Sequence, residues 1–197
     1  MIRDKYRYVA THLDRDATSL LDVGCRDAVL STYLRKDLEY TGVDLMPGPK
    51  VTRVCNLEQG LPFEDRSFDA VTALDILEHT ENIWANFGEL VRVTRRQLFI
   101  VLPNLYWWPH RLRYLAGAEQ GKYRLDAHPI EDRHRWLTSY ESARRFATGM
   151  AEKHNLTLQE ELVSGGRRTI VPDTLLSLFS KNLGSWAVMY VFRPRSG

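Results

Sequence analysis

The chain reads as an α/β protein: a doubly wound, mostly parallel seven-stranded sheet with an antiparallel hairpin at one edge and helices on both faces. Three observations carry this. Short apolar runs of strand character alternate with segments of helical period along most of the sequence. Residues 68–77 are almost continuously apolar, as a central strand buried on both faces must be. The last two strand-like runs, 156–163 and 186–192, have no helical segment between them except a short one near 172–180, so they pair as an antiparallel hairpin.

The elements follow in order. Tyr6, Val9, Ala10 and Leu13 share one face of a helix over 5–16. Residues 19–25 are the first strand, 27–36 a helix and 39–45 the second strand. After the turn Pro47-Gly48-Pro49 comes a strand over 51–55, and then the central strand. Thr80 is placed to cap a helix in which Ile83, Trp84, Phe87, Leu90 and Val91 form the inner face. A strand over 97–102 closes at Pro103-Asn104. A capping box at Thr138-Ser139-Tyr140-Glu141 opens a helix carrying Ala143, Phe146, Ala147 and Met150 on one side. The whole, 1–197, is expected to be one domain, with a lid or substrate insertion at 104–137 and a second insertion at 164–185.

Composition narrows the function. With 44% hydrophobic and 26% charged residues the chain is an ordinary globular protein, and Lys+Arg 27 against Asp+Glu 25 leaves a formal charge of only +2, too little to argue for nucleic acid. The basic pairs Arg95-Arg96, Arg144-Arg145 and Arg167-Arg168 are scattered and read as solvated helix ends. Cys25 and Cys55 form neither a disulfide framework nor a CxxC site. No apolar run approaches the ~20 residues needed to span a bilayer, and the N-terminus lacks a signal core, so a cytoplasmic protein is expected.

Ligands of doubly wound sheets bind beyond the carboxyl ends of the strands. That rule selects 24–28, Asp44, 55–57, 75–79 and 103–108 for one crevice. The first of these is a strand ending in Asp22-Val23-Gly24 and a sharp turn, with Asp44 closing the next strand. Together they suit a nucleoside, since backbone N–H groups face the ligand and an acid accepts from ribose hydroxyls.

The ordered series Leu21-Asp22-Val23-Gly24-Cys25, Gly42-Val43-Asp44-Leu45, Asn56-Leu57, Leu61-Pro62-Phe63-Glu64-Asp65-Arg66-Ser67-Phe68-Asp69, Leu77-Glu78-His79-Thr80 and Glu89-Leu90-Val91-Arg92-Val93 resembles the class I S-adenosylmethionine-dependent methyltransferases, over about residues 19–105. The resemblance implies a Rossmann-like sheet and S-adenosyl-L-methionine as cofactor. It implies that Asp22 and Gly24 meet the methionine end, that Asp44, with Leu45 beside it, holds the ribose, that Asn56 and Leu57 meet the adenine, and that Asp75 to His79 line the end of the fourth strand near the methyl group. The chain departs from the pattern at Arg26 and Ala28, where the family's loop has glycine. Arg26 is expected either to pair with the cofactor carboxylate or to mark a decayed site.

On the acceptor side, His79 and His134 are the candidate bases, and each is open to a purely structural reading. Glu78 reads as a group bonding the following helix start. Residues 105–114, rich in aromatics and arginine, overhang the crevice as part of the lid, seat on the core as an aromatic helix, or touch a membrane surface. Asp132-Arg133-His134-Arg135 offers donors to an acceptor or forms a salt-bridge knot pinning the lid. No His or carboxylate spacing along the chain suggests a metal, so none is expected. The expected activity is methyl transfer to a small-molecule or glycan- or lipid-type acceptor, with a non-catalytic binding or scaffolding domain as the alternative. A dehydrogenase is disfavoured because G-x-G-x-x-G is missing.

Overall fold

A computed structural model describes residues 1–128, 132–166 and 170–195, together with the backbone course of the helix that begins at Ile170. Arg167-Arg168, and residues 129–131 and 167–169 of the two expected insertions, lie outside the described residues. The strands are β1 (Ser19–Val23), β2 (Glu39–Asp44), β3 (Arg53–Val54), β4 (Phe68–Leu74), β5 (Thr94–Pro103), β6 (Leu156–Ser164) and β7 (Ala187–Pro194). The helices are α1 (Lys5–His12), α2 (Ile83–Val93), α3 (Trp108–Leu115), α4 (Tyr140–Lys153), α5 (Ile170–Ser177) and α6 (Lys181–Gly184).

The sheet order is β3-β2-β1-β4-β5-β7-β6. It reverses direction of growth between β1 and β4, the position where doubly wound sheets open a crevice. β7 runs antiparallel to both β5 and β6, which is the expected edge hairpin.

Alternation along the strands sorts the core into two layers. Leu21, Val23 and Val71 pack on one face with Phe87 and Leu90 of α2 and Ala147 and Met150 of α4. Leu20, Ala70 and Val101 pack on the other with Val9 and Leu13 at α1. Every residue of β4 is buried, as its unbroken apolar run requires.

Four local expectations are corrected. The helix expected over 27–36 is only a 3-10 turn, Val29–Thr32. Ala28 before it is left-handed (φ 50°), which interrupts the right-handed run an α-helix needs, and the Ser31 and Thr32 hydroxyls bond back to the Ala28 and Val29 carbonyls at 2.8 Å. α2 is capped by Asn82, whose side chain accepts from the Ala85 amide, while the Thr80 hydroxyl bonds to the Leu77 carbonyl. Trp84 stands outside the core, 48% exposed, edge-on to Trp136. The capping box of α4 uses Ser139 and Ser142 rather than Thr138 and Glu141, because Thr138 is spent on the Pro103 carbonyl.

Candidate active site

At the end of β1 the chain makes a turn in which Gly24, Arg26 and Ala28 have φ of 72°, 49° and 50°. Gly24 is required twice over. Its φ is left-handed, and a Cβ there would lie 1.9 Å from Ile76 Cδ1. Arg26 and Ala28 keep the backbone shape that glycines would adopt freely, at roughly 1–2 kcal/mol each. The shape is fixed by Asp44, whose two oxygens accept from the Arg26 amide (2.8 Å) and the Met46 amide (3.0 Å). The Arg26 side chain is exposed, and its guanidinium lies 4.0 Å from Asp132.

Asp22 sits beneath this loop rather than in it. It is 5% exposed, and its carboxylate accepts from the Tyr40 hydroxyl (2.8 Å) and the Thr72 hydroxyl (2.7 Å), tying β1 to both neighbours. Burial raises its pKa against these two bonds. Leu45 is 63% exposed beside Asp44. Asn56 accepts from the Glu58 amide at 3.0 Å and so caps the short turn Leu57–Gln59, in which Leu57 is buried.

Asp75, at the end of β4, also has a left-handed backbone (φ 62°). Its carboxylate is paired with Lys5, which reaches over from α1. Burial would depress the Lys5 ammonium, but the Asp75 charge and hydrogen bond outweigh it and raise its pKa. Nothing in the sequence singles out Lys5, since the pair spans 70 positions.

The segment from Asp132 to Trp136 is stitched to residues 78–81. The Arg135 amide donates to the Glu78 carbonyl (2.8 Å), its Nε to the His79 carbonyl (2.9 Å), and the Trp136 indole to the Thr80 carbonyl (2.8 Å). Arg135 also pairs with Glu81. His79 and His134 meet edge to face, their ring centres 4.5 Å apart. Glu78 and both histidines thus form one group, and an atom from each lies within 4.8 Å of the others. The expectation of no metal came from spacing along the chain, which does not foresee this meeting of residues 55 positions apart.

Glu78 does not bond the helix start, as expected from its position. Its two carboxylate oxygens are buried with no hydrogen-bond partner among the described residues, and Glu58 takes the Glu81 and Asn82 amides instead. Burial, reinforced by Asp75, raises the Glu78 pKa well above the usual carboxylate range. Burial lowers His79, and pushes His134 down to about 4.

Beyond the end of β5, Trp107 and Trp108 both donate their indole N–H to Asp173 at 2.8 Å, fastening the start of α3 to α5. A cavity of about 460 Å³ lies alongside, lined by Leu105, Tyr106, Arg111, Tyr114, Leu115 and Leu137.

Residues 21–102 match the family model for a methyltransferase domain. The chain is 29% identical over 174 residues to the ubiquinone biosynthesis O-methyltransferase of Nitrosococcus oceani, spanning 78% of this chain and 71% of that one. In fold it resembles the small RNA methyltransferase HEN1 (TM-score 0.66, 20% identity, 98% of this chain and 25% of that one). It also resembles the magnesium protoporphyrin IX methyltransferase of Synechocystis with bound SAH (TM-score 0.61, 14% identity, 96% and 80%). Fold, motifs and family model agree in supporting a class I S-adenosylmethionine-dependent methyltransferase, with S-adenosylmethionine as its cofactor.

Proposed function

We propose that the chain transfers the methyl group of S-adenosylmethionine to an oxygen of a small-molecule acceptor. The observation that carries this is the pairing of a left-handed loop at the end of β1 with a cluster of lone-pair groups beyond the end of β4. The relative from Nitrosococcus oceani, named an O-methyltransferase of ubiquinone biosynthesis, supports oxygen as the acceptor atom.

The residues present fit the cofactor. Asp44 has two amides on its carboxylate and lone pairs left over for ribose hydroxyls. Exposed Leu45, with Asn56 and Leu57, offers apolar and polar contact for the adenine. Gly24 and the loop surface it shapes, backed by Asp22 from below, serve the methionine end, with Arg26 turning to its carboxylate and Asp75 and Lys5 meeting its ammonium and carboxylate. Strained backbone persists where the surroundings over-determine it, and the left-handed Arg26 and Ala28 argue for a working loop rather than a decayed one.

The sulfonium is reactive by itself, so the protein's tasks are alignment, exclusion of water and disposal of the acceptor proton. His79 and His134 are the groups at hand for that proton. Residues 104–137 serve as the acceptor lid, and the 460 Å³ cavity suits an acceptor with an apolar body.

The test uses labelled S-adenosylmethionine and a panel of phenols, alcohols and amines, with calorimetry of the demethylated cofactor. Labelled ethers together with cofactor binding are expected, and His79→Ala should lower turnover while leaving cofactor affinity intact. Cofactor binding with label going only to nitrogen, or to nothing, refutes the oxygen reading. Failure to bind either form of the cofactor favours a scaffold.

A further inference from the structure

Glu78, His79 and His134 bring lone pairs to one point, and no neighbour among the described residues donates a hydrogen to the Glu78 oxygens or to His134 Nε2. The His79 Nδ1 lies 3.1 Å from the Arg133 carbonyl, which only accepts, so Nδ1 carries the proton and Nε2 keeps its lone pair. Tyr123 gives its hydroxyl proton to the Trp136 carbonyl at 2.7 Å. Its oxygen therefore accepts from His134 Nδ1 at 3.0 Å, which leaves His134 Nε2 unprotonated as well. Both rings are thus oriented by an oxygen on the far nitrogen, the arrangement that presents imidazole to a metal.

The lone pairs are unmet. Neither Glu78 oxygen nor His134 Nε2 has a hydrogen-bond partner among the described residues, and all three are sealed from solvent. His79 Nε2 looks at Glu78 Oε1 (3.9 Å) and Asp132 Oδ1 (3.4 Å), again acceptors. The nearby ammonium groups are engaged elsewhere: Lys122 with Asp132 at 2.7 Å, and Lys5 with Asp75. Buried acceptors facing each other with nothing between them are destabilising. A single proton bridges two of these atoms and leaves the third bare. A cation serves all three.

We propose that Glu78, His79 and His134 bind one divalent first-row cation, which takes the acceptor oxygen in an open position. Two imidazoles and one carboxylate suit Mn²⁺, Fe²⁺, Co²⁺ or Zn²⁺ and not the all-oxygen preference of Mg²⁺ or Ca²⁺. Ligand atoms on a common ion at about 2.1 Å stand roughly 3–3.5 Å apart, so the present spacing closes by about an ångström of side-chain movement.

The inference rests on the oxygen-acceptor reading and changes the part the histidines play. With the ion bound they are ligands, and the ion replaces a base by lowering the pKa of the coordinated hydroxyl. The acceptor R–OH releases its proton to solvent and binds as R–O⁻. An oxygen lone pair then forms the O–CH₃ bond while the C–S⁺ bond breaks and leaves its electron pair on sulfur, giving the ether and the neutral thioether.

The test begins with full-length protein stripped by chelator, titrated with Mn²⁺ and Co²⁺ by calorimetry, with visible spectra for Co²⁺ and parallel titration with the demethylated cofactor. Saturable 1:1 binding with cobalt ligand-field bands is expected. Glu78→Gln and His134→Asn should each weaken it at least tenfold, while Asp65→Asn, whose carboxylate pairs with Arg92 in the last turn of α2, leaves it unchanged. Glu78→Gln exchanges a buried carboxyl for an amide at nearly constant volume and is expected to fold, and its melting temperature checks this. Absence of 1:1 binding in protein that still binds the demethylated cofactor overturns the inference, and so does cation affinity unaltered by both variants. Loss of cofactor binding alone strikes the underlying functional reading instead, and the cation titration still judges the site.

Discussion

Replacing Asp44 separates the cofactor reading from a mere turn at the end of β2. A carboxylate offers about four lone-pair directions. Two are taken by the Arg26 and Met46 amides, at 2.8 and 3.0 Å, so two remain for vicinal ribose hydroxyls. A hydrogen bond to a charged group contributes about 1.5–3 kcal/mol. Asp44 is only half-buried, so water recovers part of two such bonds in the Ala variant. A net loss of about 2–4 kcal/mol is expected, or roughly 30- to 1000-fold in dissociation constant. Asp44→Asn keeps one oxygen and loses the charge, so its loss should fall near the lower limit. Calorimetry with the demethylated cofactor measures both, and denaturant melts check that the loop remains folded. The two amides freed in Asp44→Ala face solvent, so global stability should fall by only about 1 kcal/mol. Affinity within threefold of the parent for the Ala variant refutes the ribose assignment and leaves Asp44 as a loop fastener.

Asp173→Ala strips the acceptor from the Trp107 and Trp108 indoles and from the Gly166 amide (2.7 Å), and should cost about 3 kcal/mol, read by urea denaturation with tryptophan fluorescence; a cost under 1 kcal/mol means that water replaces the carboxylate. Arg26→Gly should raise stability by roughly 0.5–1 kcal/mol by relieving a φ of 49°, yet weaken cofactor binding about tenfold if the guanidinium meets the cofactor carboxylate; unchanged or tighter affinity removes that contact. Asp69 gives an acid-range prediction. Burial works to raise its carboxyl, but the Thr18 amide (2.8 Å) and hydroxyl (2.9 Å) and Arg95 (2.9 Å) outweigh it and hold the pKa below the ordinary 3.8. A depressed folded-state pKa adds stability that is present above about pH 4 and lost as the pH falls through the folded value. The stability gap between the parent and Asp69→Asn should therefore narrow below pH 4, and a gap independent of pH between 3 and 6 contradicts it.

Much of the fold was legible because strand burial writes itself into hydropathy. The continuous run in β4 and the alternation that splits Leu20 from Leu21 needed no partner to be recognised. The error at 27–36 has a physical source. Helical period predicts a helix only where the backbone is right-handed, and the demand of the crevice for a left-handed Ala28 is a tertiary constraint. Among the candidate site residues, Asp44, Asp75 and His79 were found by the strand-end rule, which is geometric. Asp22 obeyed the same motif, yet its side chain faces into the sheet between Tyr40 and Thr72. The association of Glu78 with His134 was not legible. It depends on backbone carbonyls of residues 78–80 accepting from Arg135 and Trp136, and carbonyls carry no sequence signature.

The place of β7 in the sheet has a consequence for how the molecule is completed. β6 is made before β7, yet its strand neighbour is β7, supplemented by a single bridge from Ile2. As the chain emerges from the ribosome, β6 must wait without a strand beside it until residues 187–194 slide in next to β5. The closing event is thus a wedge driven between two finished parts, and the newest stretch of polypeptide locks an older one. Nascent chains ending before residue 187 should hold the β1–β5 platform while remaining prey to chaperones and proteases along its β5 edge.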